Sequence, residues 1–241
     1  MADSSQIVFN FPPHPYFGRE DFMVSACNAQ AFEMIDAWPE WPYFALCLYG
    51  PSGCGKTHLS RIFSDQVSVL THYPYKIPCL QAQDLTLEAG YQAFAQNKCL
   101  IIENLSAKIN QEAMFHIYNM YRDEGGSILF TSQQAPARLK LTLPDLQSRL
   151  NIVPAIEIKE PDDEMLSALI VKLFADRQLN ISPEIISYML KNMPRSFSFG
   201  NRLVAEIDRI SLARKRAISL SIVKEALDEL TNNPQGELFD L

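Results

Sequence analysis

The segment Gly50-Pro51-Ser52-Gly53-Cys54-Gly55-Lys56-Thr57 has the spacing of a phosphate-binding loop. An apolar run at 44–49 precedes it, and a helix-compatible run at 58–66 follows it. In such a loop, glycines let backbone N–H groups point at phosphate oxygens, and the following helix adds the positive end of its dipole. Lys56 can reach the β- and γ-phosphates, and the Thr57 hydroxyl can ligate Mg²⁺. The predicted nucleotide-binding residues here are Gly50, Pro51, Ser52, Gly53, Cys54, Gly55, Lys56, Thr57 and His58.

Composition narrows the class of protein. The net charge of −7 argues against broad, nonspecific duplex binding, although a local basic patch stays open. The N-terminal stretch lacks the basic and apolar regions of a signal peptide, and no apolar run reaches membrane-spanning length. The five cysteines form no CxxC pair, which favours a reducing compartment. We therefore expect a cytoplasmic protein, with Cys47, Cys79 and Cys99 buried in strands.

Alternating apolar and helical patterns predict an α/β fold with a five-stranded parallel sheet covered on both faces. The predicted strands are 44–49, 77–80, 99–102, 127–131 and 152–158. After Pro161 only helical patterns follow, which predicts a small all-helical domain. We expect an N-terminal arm (1–15), an α/β nucleotide-binding domain (16–160), a helical domain (161–230) and a C-terminal tail (231–241).

Polar residues at two strand ends extend the predicted site. Glu103 follows the third apolar strand and is the candidate carboxylate for Mg²⁺. Asn104 comes next, where a second carboxylate would activate water, and an amide is a poor base. We therefore expect weak intrinsic hydrolysis. Gln133, after the fourth strand, is expected to face the γ-phosphate or its attacking water.

Three arginines are candidates for contacts with phosphate. Arg149 precedes the last predicted strand and could complete its own site or enter a neighbour's site as an arginine finger. The alternative for Arg149 is an ordinary surface ion pair. In the helical domain, either Arg195 or Arg202 could fold onto the phosphates. The basic run 209–216 is interpreted as a solvated face.

Several motifs together resemble the AAA+ module of the DnaA family of bacterial replication initiators. They are Gly18-Arg19-Glu20-Asp21-Phe22-Met23-Val24 through Asn28, Trp38-Pro39-Glu40-Trp41-Pro42, Leu146-Gln147-Ser148-Arg149-Leu150 and Asp208-Arg209. The resemblance covers essentially the whole chain and is closer to the shorter Hda type, including its alphaproteobacterial form. It implies an AAA+ domain followed by a helical lid. The family usually has Asp where this chain has Glu103, and its lid arginine does not align cleanly with Arg195 or Arg202.

The resemblance also implies a role. Phe22, Val24 and Asn28 would lie over the adenine of bound ADP or ATP, with Mg²⁺ at Thr57 and Glu103. Arg149 would act as an arginine finger in trans on ATP held by DnaA. The chain stops after the lid and lacks the initiator's helix-turn-helix domain, so no sequence-specific DNA binding is expected. Homo-oligomerisation stays open.

Members of the Hda type carry a short motif for binding the DNA polymerase sliding clamp. Near the N-terminus, Gln6, Ile7, Phe9 and Phe11 fit this motif loosely. Near the C-terminus, Gln235, Leu238 and Phe239 match the general clamp pentapeptide more closely. A peptide anchored by Gln with apolar side chains can fill an apolar pocket on a partner.

Two other functions are compatible with the sequence. The chain could be an autonomous AAA+ ATPase that loads or remodels DNA-bound replication machinery. It could also be a loader that binds DNA through its basic lid face. Strong ATP turnover by the pure protein would favour the first, and salt-sensitive duplex binding would favour the second.

Overall fold

A computed structural model describes residues 18–72 and 75–232. Its centre is a five-stranded sheet in the order β2-β3-β4-β1-β5. Every neighbouring pair is parallel, which confirms the predicted five-stranded parallel sheet. The strands are β1 (Ala45–Tyr49), β2 (Cys79–Gln81), β3 (Cys99–Leu105), β4 (Ser127–Ser132) and β5 (Ala155–Glu157).

The α-helices of the described residues alternate with the strands and then continue alone. Five helices lie among the strands: α1 (Ala29–Asp36), α2 (Lys56–Leu70), α3 (Leu87–Gln96), α4 (Gln111–Asp123) and α5 (Pro144–Asn151). Four more follow β5: α6 (Asp163–Asp176), α7 (Pro183–Asn192), α8 (Phe197–Arg214) and α9 (Leu220–Asn232). None of these helices is long and apolar enough to cross a membrane.

Two apolar cores lie on opposite faces of the sheet because side chains alternate along a strand. Leu46 of β1 packs with α1 and α2 on one face. Its neighbour Cys47 packs with α3, α4 and α5 on the other. A third core joins α6 to α9, with Leu173, Ile207 and Val223 among its buried residues. Both faces of the sheet are therefore covered, as the alternating pattern predicts.

The edges of the sheet differ from the sequence prediction. Cys79 is exposed because β2 is an edge strand, so its predicted burial is wrong. Cys47 and Cys99 are buried as predicted. The third strand does not end at Ile102 but continues to Leu105. The fifth is shorter than predicted because α5 extends to Asn151 and β5 begins only at Ala155.

The packing of α3 on α4 depends on a glycine. A Cβ atom added to Gly90 would lie 2.3 Å from both Cδ1 and Cγ1 of Ile117, and that side chain is almost fully buried. Gly90→Val should therefore lower the free energy of unfolding by about 1–3 kcal/mol through overpacking. Urea denaturation measures the loss. Ala95→Val, at an exposed position of the same helix, should change stability by less than about 0.5 kcal/mol.

A double-mutant cycle separates this overlap from helix propensity. Removing most of the Ile117 side chain creates space, so Gly90→Val combined with Ile117→Ala should be more stable than the two single effects predict, by about 1 kcal/mol. Additive effects would show that the two helices do not meet at this point.

Candidate nucleotide-binding site

The loop between β1 and α2 has the backbone that phosphate binding needs. Gly53 and Gly55 adopt left-handed φ angles of +75° and +106°, which favour glycine. The Lys56 ammonium is largely buried and donates hydrogen bonds to the carbonyl oxygens of Gly50 (2.8 Å) and Pro51 (2.7 Å). The loop backbone thus folds around the Lys56 ammonium group. Helix α2 begins at Lys56, so its N-terminus lies at the loop.

The first turn of α8 rests on this loop. The Phe197 N–H donates to the Gly53 carbonyl oxygen at 3.0 Å. A Cβ atom at Gly53 would lie 2.1 Å from Ser196 Oγ and 2.5 Å from Ser198 Oγ, so a larger residue at this position would force these side chains to move. Ser196 also caps α8 by accepting a hydrogen bond from the Phe199 N–H. The C-terminal helices therefore contact the loop through hydroxyl groups and backbone.

The two predicted metal ligands share one cavity. Thr57 and Glu103 both line a space of about 260 Å³ beside the loop. A hydroxyl and a carboxylate are hard oxygen donors, which suit Mg²⁺, and this ion usually takes its remaining ligands from water and phosphate. The described residues hold no cluster of three or more His, Cys, Asp or Glu side chains around a metal position. The pair therefore fits a Mg²⁺ ion bound together with a nucleotide.

Aromatic rings bring the N-terminal segment to the loop. The Phe22 ring stacks on Phe32 at 5.4 Å and meets the His58 ring edge-on at 5.0 Å. It also lies 3.5 Å from where a Gly55 Cβ would be. His58 Nε2 donates to the Gly18 carbonyl oxygen at 3.0 Å, because a carbonyl can only accept. Burial lowers the pKa of the His58 imidazole. Phe22 and His58 thus lie together against the loop.

The other two predicted adenine contacts differ in environment. Val24 is 49% exposed. Asn28 is buried, and its side chain organises the turn: Oδ1 accepts from the Ser25 N–H at 2.8 Å, and Nδ2 donates to the Met23 carbonyl oxygen at 2.9 Å. The Asn28 side chain therefore holds the backbone of the segment that carries Val24.

The ends of β3 and β4 lie beside the loop. The Gly50 N–H donates to the Ser132 carbonyl oxygen at 3.2 Å, so the exposed Gln133 follows at the start of the loop. The Asn104 N–H donates to Thr131 Oγ1 at 3.1 Å. The strand-end residues of the prediction are thus brought together at one edge of the sheet.

Gln81, at the end of β2, also lies beside these strand ends, and the sequence analysis did not identify it. Its Nε2 donates to Glu103 Oε2 at 3.2 Å, and its Oε1 accepts from Asn104 Nδ2 at 2.9 Å. No local motif marks Gln81, because its role depends on which strand pairs with β3. Ser196 and Ser198 were missed for a similar reason, since only the docking of α8 brings them to the loop.

Arg149 lies away from its own loop. Its guanidinium sits 4.7 Å above the Phe115 ring, and its carbonyl oxygen accepts from the Tyr118 hydroxyl at 3.1 Å. The Tyr118 ring contacts Phe44, which precedes β1, whereas the loop follows the other end of that strand. Across the described residues, Arg149 forms no salt bridge, which argues against the ion-pair interpretation.

The two candidate lid arginines differ in environment. Arg195 forms a salt bridge with Asp163, at the start of α6, at 3.0 Å. Arg202 has a buried Nη2 atom that lacks a hydrogen-bond partner in the described structure. The contact of Arg195 or Arg202 with phosphate stays a prediction.

The basic run at 209–216 is partly neutralised by carboxylates. Arg209 pairs with Glu206 and Glu229, and Arg214 pairs with Glu225. These pairs agree with a solvated face. The predicted clamp-binding residues Gln6, Ile7, Phe9 and Phe11, and likewise Gln235, Leu238 and Phe239, lie outside the described residues.

Proteins with similar sequences include bacterial replication initiators. An uncharacterized protein of Haemophilus influenzae is 24% identical over 192 residues, which cover 78% of this chain and 82% of that protein. The chromosomal replication initiator protein DnaA of Campylobacter curvus is 24% identical over 240 residues, covering 90% of this chain and 53% of the initiator. The chain spans about half the length of the DnaA relatives it matches.

Solved structures share the fold. Domain III of the Thermotoga maritima replication initiation protein DnaA has a TM-score of 0.77 at 19% identity, covering 90% of this chain and 97% of that domain. AMPPCP-bound DnaA from Aquifex aeolicus has a TM-score of 0.67 at 20% identity, covering 91% and 71%. The bacterial DnaA ATPase domain family matches residues 14–157, more than half of the chain. The chain therefore belongs to the bacterial DnaA ATPase domain family, an AAA+ family related to replication initiation.

Proposed function

We propose that this chain is a regulatory AAA+ adaptor of the Hda type. It binds ADP or ATP with Mg²⁺, attaches to the sliding clamp and stimulates ATP hydrolysis by DnaA, which limits re-initiation of replication. The loop, Lys56, Thr57 and Glu103 support nucleotide binding, as does a DnaA relative that binds the nucleotide analogue AMPPCP. When bound, Mg²⁺ would offset negative charge on the phosphates.

The proposed role of Arg149 as an arginine finger in trans rests on its position. Its helix, α5, packs on the face of the sheet opposite α2. The Tyr118 contact places Arg149 near the start of β1, and the loop follows the end of that strand. A five-residue strand separates these ends by roughly 16 Å. This separation argues against Arg149 serving its own loop and favours a neighbouring subunit as its target.

The Phe115 ring supports the proposed finger. A guanidinium over an aromatic face is held by cation–π attraction and stays free to donate hydrogen bonds from its edge. Developing charge on a transferring phosphoryl group is the target that such an edge can stabilise. Ile152, one turn from Arg149, is 62% exposed, so the same surface offers an apolar contact to a partner.

The autonomous ATPase remains the alternative function. Asn104 disfavours it, because its amide donates to Gln81 and is a poor base. The pairing of Arg209 and Arg214 with carboxylates disfavours the DNA-binding loader. Rapid ATP turnover by the pure chain, without DnaA or clamp, would favour the autonomous ATPase over the adaptor.

Lys56→Ala should lower the affinity for ADP by about 10- to 100-fold, because a buried charge-assisted contact contributes about 1.5–3 kcal/mol. Isothermal titration calorimetry measures the change. Lys191→Ala, at an exposed position on α7, serves as the control and should bind ADP like the wild type. Wild-type affinity in Lys56→Ala would remove the nucleotide-binding proposal.

Arg149→Ala should abolish stimulation of DnaA while leaving ADP and clamp binding intact. A finger supplied in trans contributes about three to five orders of magnitude in rate, so the loss should be plain. The assay is DnaA ATP hydrolysis with DNA-loaded clamp. Arg149→Lys should rescue little, because lysine lacks the forked guanidinium geometry. Arg122→Ala, which removes an exposed arginine of α4 paired with Asp123, is the control.

A folded Arg149→Ala variant that binds nucleotide and clamp yet stimulates DnaA at the wild-type rate would contradict the proposed finger. Phe115→Leu gives a graded test of the same site, since it keeps an apolar side chain but removes the ring under the guanidinium. It should reduce stimulation less than Arg149→Ala does.

Clamp binding is proposed to reside in one of the terminal motifs. Replacing Gln6 and Phe9 with Ala, or separately Leu238 and Phe239, should weaken clamp capture in a pull-down in at least one case, because these side chains would fill the apolar pocket. The N-terminal motif is favoured by the family pattern, and the C-terminal motif by the general pentapeptide. Normal capture by a variant that carries both pairs of changes would exclude both motifs.

A further inference from the structure

The strand that carries Glu103 is irregular at this residue. The register between β3 and β4 shifts between Ile102 and Leu105. Within the shift, Asn104 adopts a left-handed φ of +59°, which Asn tolerates better than most residues. Its N–H is held by Thr131 Oγ1. An irregularity of this kind re-aims the side chains around it, so the direction of Glu103 is set by the local backbone and its contacts.

Gln81 is the neighbour of this irregularity on the edge strand. In the β2–β3 register, Gln81 is the partner of Glu103. Its amide forms a directed chain, since Asn104 Nδ2 donates to Gln81 Oε1 and Gln81 Nε2 donates to Glu103 Oε2. The reversed amide would place an oxygen against the Glu103 carboxylate and an N–H group against the Asn104 N–H₂. Only the observed orientation satisfies both partners.

We infer that Gln81 is a positioning residue for the metal carboxylate. It engages Oε2 of Glu103 and thereby fixes the carboxylate in the cavity that Glu103 shares with Thr57. Through Asn104 the same amide also fixes the residue that occupies the place of a catalytic base. This inference rests on the proposed binding of Mg²⁺ with a nucleotide. Hydrogen bonds of this kind around a metal ligand typically raise metal affinity by 10- to 100-fold.

The test compares ADP affinity with and without Mg²⁺. Gln81→Met keeps the length and volume of the side chain but donates no hydrogen bond. Isothermal titration calorimetry in EDTA should give the wild-type ADP affinity, within about twofold, because the loop and Lys56 are unchanged. In Mg²⁺, the gain in affinity over EDTA should fall by about tenfold, the lower end of the range for such contacts, because Gln81 is exposed.

Gln83→Met is a matched control. Gln83 is the same residue type, is exposed, and lies two positions further along, where its amide faces Asp84 rather than Glu103. The Gln83→Met variant should show the same increase in ADP affinity in Mg²⁺ over EDTA as the wild type. Gln81→Asn is a second variant that retains an amide but loses reach, and it should behave like Gln81→Met. Urea denaturation confirms that each variant is folded.

The inference would be overturned if Mg²⁺ raised the ADP affinity of Gln81→Met as much as that of the wild type. It would also be overturned if Mg²⁺ did not raise the ADP affinity of the wild type. An equal loss of ADP affinity with and without Mg²⁺ would also overturn it, because that result belongs to a purely structural residue. Failure of the proposed function looks different: Lys56→Ala would then bind ADP like the wild type under both conditions.

Discussion

The parallel alignment of β1 between β4 and β5 is the constraint on which the site depends. Because all strands run in one direction, their carboxyl ends meet at one edge, and the loop after β1 lies beside the residues that follow β3 and β4. β1 is buried on both faces, so its register is fixed by apolar packing on each side. The polar residues at the carboxyl ends of the strands are therefore held in fixed positions, although several of them are exposed.

The contact between α8 and the loop makes the C-terminal helices part of the same arrangement. The Phe197 N–H donates to the Gly53 carbonyl oxygen of the loop, and a 2.7 Å salt bridge joins Lys172 of α6 to Asp21 in the N-terminal segment. A change in the loop backbone is therefore felt in α8, and a movement of α6 reaches the segment that carries Phe22. If the loop binds a nucleotide as proposed, these contacts would connect it to the C-terminal helices.

Much of the fold could be predicted from the sequence, because apolar periodicity and the glycine pattern of the loop are local signals. The loop, the five parallel strands and the helical end were predicted in this way. Strand order is not a local property, so the exposure of Cys79 and the contacts of Gln81 could not be predicted from the sequence. The docking of Ser196 and Ser198 on Gly53 depends on how two parts of the chain meet, so no local pattern in the sequence predicts it.

If Arg149 acts in trans as proposed, the Phe115 ring beneath it affects how fast and how tightly the chain would bind its partner. A free arginine side chain has about 2 kcal/mol of rotamer entropy, which a binding event normally has to remove. Contact with the Phe115 ring removes part of that freedom before any partner arrives. Under the proposed function, the Arg149 side chain is thus partly preorganised, and binding to a neighbouring subunit would cost less conformational entropy.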